Sequence, residues 1–141
     1  IASLSREALD VDHVGSGNVR STRVEVRRLD DLLASGELLL AGQEMDLLKV
    51  DTEGYEYRGL AGAQRFLAEC RPRFVQLECN RHQPFCGPSL WQVAALLPGY
   101  TPYPLLPDAA GGRPRDPKAP ASNICCFSNF VFVRDVAPPE P

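Results

Sequence analysis

The stretch from Met45 to Glu56, which reads MDLLKVDTEGYE, decides the fold of this chain. It begins with a short and mostly apolar run, residues 45–50, and ends in a cluster of carboxylates around Gly54. A run of this length and apolar content predicts a strand that is buried on both faces of a sheet. Gly54 marks the exit from that strand, and a helical pattern follows as far as Cys70.

The residues on either side of this stretch alternate between predicted strands and helices. The predicted elements are a strand at 24–26, a helix at 29–34, a helix at about 55–70 that Gly59 and Gly62 kink or divide, a strand at 74–78, a helix from Pro88 to Leu97, an edge strand at 100–104 and a strand at 127–133. This rhythm predicts an α/β fold with a mostly parallel sheet and helices on both faces. Four or five strands are fewer than a complete doubly wound domain has, so the pattern resembles the second half of one.

The composition is that of a globular protein. The chain has 141 residues, of which 44% are hydrophobic and 23% are charged, and its formal net charge is −3. The basic residues are scattered, which argues against a nucleic-acid partner. No apolar run approaches the roughly 20 residues that span a bilayer, so we expect no membrane association.

The chain divides into three parts on its sequence pattern. We expect residues 1–23 to form a loop or a partial segment, residues 24–136 to form a partial α/β domain, and the proline-rich residues 137–141 to form a disordered tail. The first residue is Ile1 rather than methionine, and no signal peptide follows it. These ends predict a fragment of a longer protein.

The five cysteines indicate a reducing compartment, and we therefore expect a cytoplasmic protein. Their number is odd, and no two are separated by the two-residue spacing typical of zinc sites. We interpret them as buried or half-buried free thiols. They are Cys70, Cys79, Cys86, Cys125 and Cys126.

The densest polar cluster follows the strand of residues 45–50. In open α/β sheets, ligands bind at the carboxyl ends of the strands, where Asp51 and Glu53 are expected to lie. A carboxylate there could orient a substrate hydroxyl or remove its proton, and a pair could hold a divalent cation. The alternative is that acidic residues stabilise the start of the following helix, which we expect in part for Glu56.

Further candidates lie beside this cluster. Lys49 interrupts an apolar strand, and a buried lysine requires a partner, so we predict an ion pair with Asp51 or Glu78. Glu78 and Asn80 end the next strand and are expected at the same edge of the sheet. His82 follows them and is a candidate general base, although a loop histidine is more often simply solvated.

Residues 46–56 resemble the signature of the FkbM-type methyltransferases. That signature has Asp, two apolar residues, Lys, Ile or Val, Asp, a variable residue, Glu, Gly, a variable residue and Glu. Weaker likenesses flank it, so that the resemblance covers most of residues 24–133. The flanking segments are 26–33, 60–67, 72–78 and 128–132.

The resemblance implies a Rossmann-like class I methyltransferase that uses S-adenosylmethionine. It implies methyl transfer to a hydroxyl group of a sugar or a related small metabolite. Asp51 and Thr52 would then lie beside the cofactor, and Asp51 and Glu53 beside the reacting groups, with His82 as a possible proton acceptor. Glu78 and Asn80 would bind the acceptor.

One departure from the family pattern affects the cofactor pocket. The glycine-rich cofactor turn and the acidic residue that binds the ribose belong to the first half of such a domain, and neither is recognisable here. Residues 14–17 include two glycines, but no strong apolar strand precedes them, so we interpret them as a loop. We therefore expect this chain alone to bind the donor weakly and to be inactive.

Two other functions remain open on the sequence. The first is a non-catalytic α/β module or a degenerate relative that binds a protein partner. The second is a metal-dependent hydrolase built on Asp51, Glu53 and Glu78, although no set of histidine ligands accompanies these carboxylates.

Overall fold

A computed structural model describes residues 22–38, 40, 44–79, 88–105, 112–123 and 128–136. The predicted loop at 1–23 and tail at 137–141 lie almost entirely outside these residues. The helices are α1 (Leu29–Ala34), α2 (Glu56–Ala61), α3 (Gln64–Cys70) and α4 (Leu90–Ala95), with a 3₁₀ turn at Pro120–Asn123. The strands are β1 (Leu47–Val50), β2 (Phe74–Cys79), β3 (Tyr100–Leu105) and β4 (Ser128–Arg134).

The four strands form one mixed sheet in the order β1-β2-β4-β3. The β1–β2 pair is parallel, whereas β4 is antiparallel to both of its neighbours. The prediction of an α/β fold is confirmed, but the prediction of a mostly parallel sheet was wrong. The reason is that the last strand returns between β2 and β3, which run in the same direction as each other, and therefore pairs against both.

The core lies against one face of this sheet. Along β2 the residues alternate, with Val75, Leu77 and Cys79 buried and the residues between them half-exposed. Leu60 of α2, Leu67 of α3 and the buried residues of α4 pack on this face with Phe130 and Phe132 of β4. The expectation of helices on both faces is therefore not met by the described residues.

β1 is less buried than predicted. Its exposure alternates between exposed and half-buried residues, and Leu47 is 51% exposed. The expectation of burial on both faces was wrong because β1 stands at the edge of the sheet in the described part of the chain. Leu48 and Val50 face the core, which leaves Lys49 on the opposite face.

The predicted long helix is divided at Gly62 and Ala63, as the two glycines suggested. α3 has no side-chain cap of its own, and instead Asp30 of α1 accepts a hydrogen bond from the Phe66 N–H at 2.9 Å. Asp30 thus satisfies one of the unpaired donors at the start of α3. This contact fixes α1 against the junction of α2 and α3, next to the strand that carries the candidate site.

The remaining boundaries follow local sequence signals. α4 begins after Ser89, which forms a capping box with Gln92, so Pro88 precedes the helix rather than occupying its first turn. β3 is an edge strand, as its prolines predicted. The predicted strand at 24–26 was wrong: these residues form no strand, and Val24 and Val26 are 58% and 74% exposed.

Two expectations about the environment can be compared with the described residues. Cys70 and Cys79 are buried and lie outside any disulfide, as predicted for them, and burial raises the pKa of the Cys70 thiol. None of the described helices combines the length and the apolar character needed to cross a membrane.

Candidate functional site

The carboxyl ends of β1 and β2 bring three carboxylates together. One oxygen from each of Asp51, Glu53 and Glu78 lies within 4.8 Å of the others. The parallel register sets Val50 opposite Leu77, so the residues that follow them arrive at the same edge of the sheet. The predicted juxtaposition of these three residues is confirmed.

Lys49 is the cation of this cluster. Its Nζ donates a hydrogen bond to Asp51 Oδ2 at 2.8 Å, which confirms the predicted ion pair. The pair is not buried, since the Lys49 side chain is 52% exposed and that of Asp51 is 33% exposed. The hydrogen bond from Lys49 lowers the pKa of Asp51 and raises that of Lys49. Asp51 is therefore held in its ionised form.

Glu78 has the opposite electrostatic environment. Burial is the main cause that raises the pKa of its carboxyl, and the hydrogen bond and negative charge of Asp51 raise it further. Glu53 and Glu56 add to this effect through their charges. Two neighbouring carboxyl groups thus have pKa values shifted apart, which is the arrangement that separates an acid from a base at one site.

The turn after β1 has an unusual backbone. Glu53 has a φ of 54° and Gly54 a φ of 103°. Glycine adopts positive φ freely, but a glutamate does so at a cost of about 1–3 kcal/mol unless a local contact compensates. The glycine of the signature is therefore explained by the turn, and Glu53 is held in a conformation that its own side chain does not favour.

Glu56 is a site residue whose role the sequence did not reveal. It was expected in part to stabilise the start of a helix, and its carboxylate instead binds the turn. It is 2% exposed and accepts hydrogen bonds from the N–H groups of Thr52 and Gly54 and from the Thr52 hydroxyl. The sequence signals were its place at the end of the signature and its spacing from Asp51, and neither distinguishes a buried acceptor from an exposed acid.

Thr52, predicted to lie beside the cofactor, is half-buried next to these carboxylates. Its N–H and hydroxyl both bond to Glu56. The other two predicted residues, Asn80 and His82, lie outside the described residues. Their predicted roles therefore stay predictions.

A cavity of about 300 Å³ lies elsewhere, at the opposite end of the sheet. It is bounded by the ends of α3 and α4 and by the first residues of β3, and its charged lining groups are Arg71, Arg134 and Asp135. None of the carboxylates at the ends of β1 and β2 reaches it. The candidate site is therefore placed by the strand ends and not by this cavity.

The chemistry of the cluster suits a cationic or hydroxyl-bearing ligand. Carboxylates attract the positive charge of a sulfonium and accept hydrogen bonds from hydroxyl groups. Asp51 offers such a negative charge at this edge of the sheet, and Thr52 follows it as a half-buried residue. The three carboxylates also offer the oxygen ligands that calcium and magnesium prefer.

Comparison with protein families gives a match that covers most of the chain. The family model for the methyltransferase FkbM domain matches residues 2–101, which include α1 to α4 and the whole of the turn after β1. The matched residues do not include β4, so the likeness of residues 128–132 to the family's last strand lies outside the match. No curated protein and no solved structure matches the chain. Since the match covers more than half of the sequence, this chain belongs to the FkbM methyltransferase domain family.

Proposed function

We propose that this chain is the catalytic part of an S-adenosylmethionine-dependent O-methyltransferase. The acceptor in this proposal is a hydroxyl group of a sugar or another small metabolite. The observation that carries it is the meeting of Asp51, Glu53 and Glu78 at the carboxyl ends of two parallel strands, in a chain of the FkbM methyltransferase family. Ligands of open α/β sheets bind at that edge.

S-adenosylmethionine, when bound, supplies an electrophilic methyl group on a cationic sulfur, and the acceptor oxygen displaces that sulfur as its own proton leaves. Asp51 is proposed to face the cationic donor, because its ion pair with Lys49 keeps it ionised. Thr52 is proposed to lie beside the donor with Asp51. Most of the rate enhancement would come from holding the donor and the acceptor in line.

The proton of the acceptor hydroxyl needs a base within hydrogen-bond reach. Asp51 is a weak base because Lys49 stabilises its charge, whereas the raised pKa of Glu78 makes the ionised Glu78 carboxylate a stronger one. Glu53, at the same cluster, is proposed to orient the acceptor or to share in removing its proton. Asn80 is proposed to bind the acceptor and His82 to serve as an additional proton acceptor.

The proposal is tested by methyl transfer from radiolabelled S-adenosylmethionine. The natural protein that contains this chain is incubated with a panel of free sugars, methyl glycosides, small alcohols, amines and carboxylic acids. We expect labelled methyl ethers with one class of hydroxyl compound. Transfer only to amines or carboxylates would contradict O-methylation, and no transfer to any member would favour the non-catalytic module.

A second candidate, a divalent-cation site that serves a hydrolase, is favoured by one observation. The three carboxylate oxygens within 4.8 Å of one another are close enough to share one ion. Calorimetric titration with magnesium and with calcium separates the two candidates. Absence of binding in the millimolar range would remove the hydrolase from consideration.

We also propose that this chain alone binds the donor weakly, because its sequence lacks a recognisable glycine-rich cofactor turn. Titration of the isolated chain with S-adenosylhomocysteine tests this directly. Weak or undetectable binding is expected. Tight binding would show that the described half of the pocket is sufficient.

A further inference from the structure

We infer that Glu56 is a positioning residue whose buried carboxylate holds residues 52–54 in the turn that presents Glu53 to the cluster. This inference rests on the proposed function, since Glu56 acts through Glu53 and does not itself need to touch a substrate. Glu56 is the first residue of α2, and its side chain is directed back toward the end of β1.

Three donors from the turn converge on this carboxylate. Glu56 Oε1 accepts hydrogen bonds from the Thr52 N–H at 2.9 Å, from the Thr52 hydroxyl at 3.2 Å and from the Gly54 N–H at 3.1 Å. Oε2 accepts from the same Gly54 N–H at 3.1 Å. Glu56 is only 2% exposed, so water competes little for these hydrogen bonds.

The anchored residues lie on either side of Glu53. Its φ of 54° is one that a residue with a side chain adopts only when its surroundings impose it. The N–H groups of Thr52 and Gly54 are both bonded to Glu56, so the Asp51–Thr52 and Glu53–Gly54 peptide units are held by one carboxylate. Without this acceptor the turn could relax. The Glu53 carboxylate would then move away from the carboxylates of Asp51 and Glu78.

Ordinary stabilisation of a helix start does not account for these contacts. An acidic residue that caps a helix accepts from N–H groups of the first helical turn. The donors here, Thr52 and Gly54, both precede α2, and Tyr55 at its N-cap makes no side-chain capping bond. The hydrogen bonds therefore stabilise the turn rather than the helix.

The principal test is a double-mutant cycle in the natural protein, with Glu56→Gln and Glu53→Ala measured alone and together. The readout is kcat for methyl transfer to the sugar of the panel with the highest turnover. In Glu56→Gln an amide N–H₂ would face the Gly54 N–H, so we expect kcat to fall on the order of tenfold to a hundredfold. When Glu53 is already replaced by alanine, Glu56→Gln should lower kcat by less than about twofold, because the side chain that Glu56 positions is absent.

Glu69→Gln is the matched control, since Glu69 is an exposed glutamate of α3 that pairs with Arg65. We expect its kcat to equal that of the unmodified protein. An unchanged kcat in Glu56→Gln would overturn the inference. So would a loss of the same size in both backgrounds, because Glu56 would then act independently of Glu53.

Amide hydrogen exchange tests the holding contact without any acceptor. The Thr52 and Gly54 amides should exchange slowly in the unmodified protein, although they lie in a turn, and faster in Glu56→Gln, with the β2 amides unchanged. Rapid exchange of both amides in the unmodified protein would overturn the inference, even if the variant does not fold. If no compound is methylated but both amides are protected, the proposed function fails and the holding role of Glu56 stands.

Discussion

Lys49 of β1 and Asp51, the first residue after that strand, form an ion pair of 2.8 Å. The Lys49 ammonium group is the main reason that the pKa of Asp51 lies below its ordinary value. The pKa of Glu78 is raised, so these two neighbouring carboxyl groups lose their protons at different pH values. This difference distinguishes the site from a simple patch of exposed acids.

Lys49→Met tests the electrostatic part of this relationship. Without the ammonium group the pKa of Asp51 should rise, and a pH titration of its side-chain carboxyl carbon by NMR measures this directly. Thermal stability should change little, because the pair is largely exposed. Arg65→Met, which removes the cation of the exposed Arg65–Glu69 pair, is the matched control and should leave the titration of Asp51 unchanged. An unchanged pKa of Asp51 in Lys49→Met would contradict the assignment.

Glu78→Gln should change how stability depends on pH. The raised pKa means that folded Glu78 keeps its proton to a higher pH than unfolded Glu78 does. Ionisation therefore favours the unfolded chain, and stability should fall as pH rises from the ordinary value near 4.5 through the raised one. Glu78→Gln lacks this loss, so its advantage in Tm over the unmodified protein should grow across that interval.

The measurement for Glu78→Gln is a series of thermal melts from below pH 4 to above pH 8. Glu25→Gln, at an exposed carboxylate that is 82% accessible, serves as the control and should track the unmodified protein. A constant difference in Tm between Glu78→Gln and the unmodified protein at every pH would contradict the raised pKa.

Glu53→Gly separates stability from activity. Glycine adopts the positive φ of this position without strain, which stabilises the folded chain. Glycine also has a larger conformational entropy in the unfolded chain, and this roughly offsets the stabilisation. We expect the free energy of unfolding to stay within about 1 kcal/mol of the original value while methyl transfer falls. Glu69→Gly is the contrasting control. Glycine within helix α3 should lower the free energy of unfolding by about 1 kcal/mol, whereas methyl transfer should be unchanged. Undiminished methyl transfer in Glu53→Gly would remove Glu53 from the site.

Much of the local structure could be predicted from the sequence. α1, the division between α2 and α3, and the edge position of β3 follow from acidic residues, glycines and prolines, which act within a few residues of their own position. The placement of Asp51 beside Glu78 was also predictable, because the carboxyl ends of parallel neighbouring strands always share an edge.

The failures concern relationships between distant segments. The position of β4 between β2 and β3 is a pairing of segments far apart in the sequence, and no local pattern records it. The exposure of Lys49 depends on β1 being an edge strand in the described residues, which its apolar sequence does not indicate. The role of Glu56 depends on a side chain that reaches back four residues to Thr52.

Phe132→Ala tests whether β4, which lies beyond the family match, belongs to the core. Phe132 is fully buried and packs in the cluster that includes Val75 and Leu77. Its removal should cost about 3–5 kcal/mol of unfolding free energy, measured by denaturant titration. Leu105→Ala, at a residue of β3 that is 51% exposed, should cost far less. Equal costs would contradict the packing of β4 into the sheet.

The most direct test of the central claim is the rate of methyl transfer by Asp51→Asn in the natural protein. The matched control is Asp46→Asn, just before the other end of β1, where the side chain is 84% exposed. If Asp51 acts at the reacting groups, Asp51→Asn should lower kcat by about a hundredfold or more with the fold intact, whereas Asp46→Asn should leave it unchanged. Undiminished transfer by correctly folded Asp51→Asn would contradict the assignment of the site to this end of the sheet.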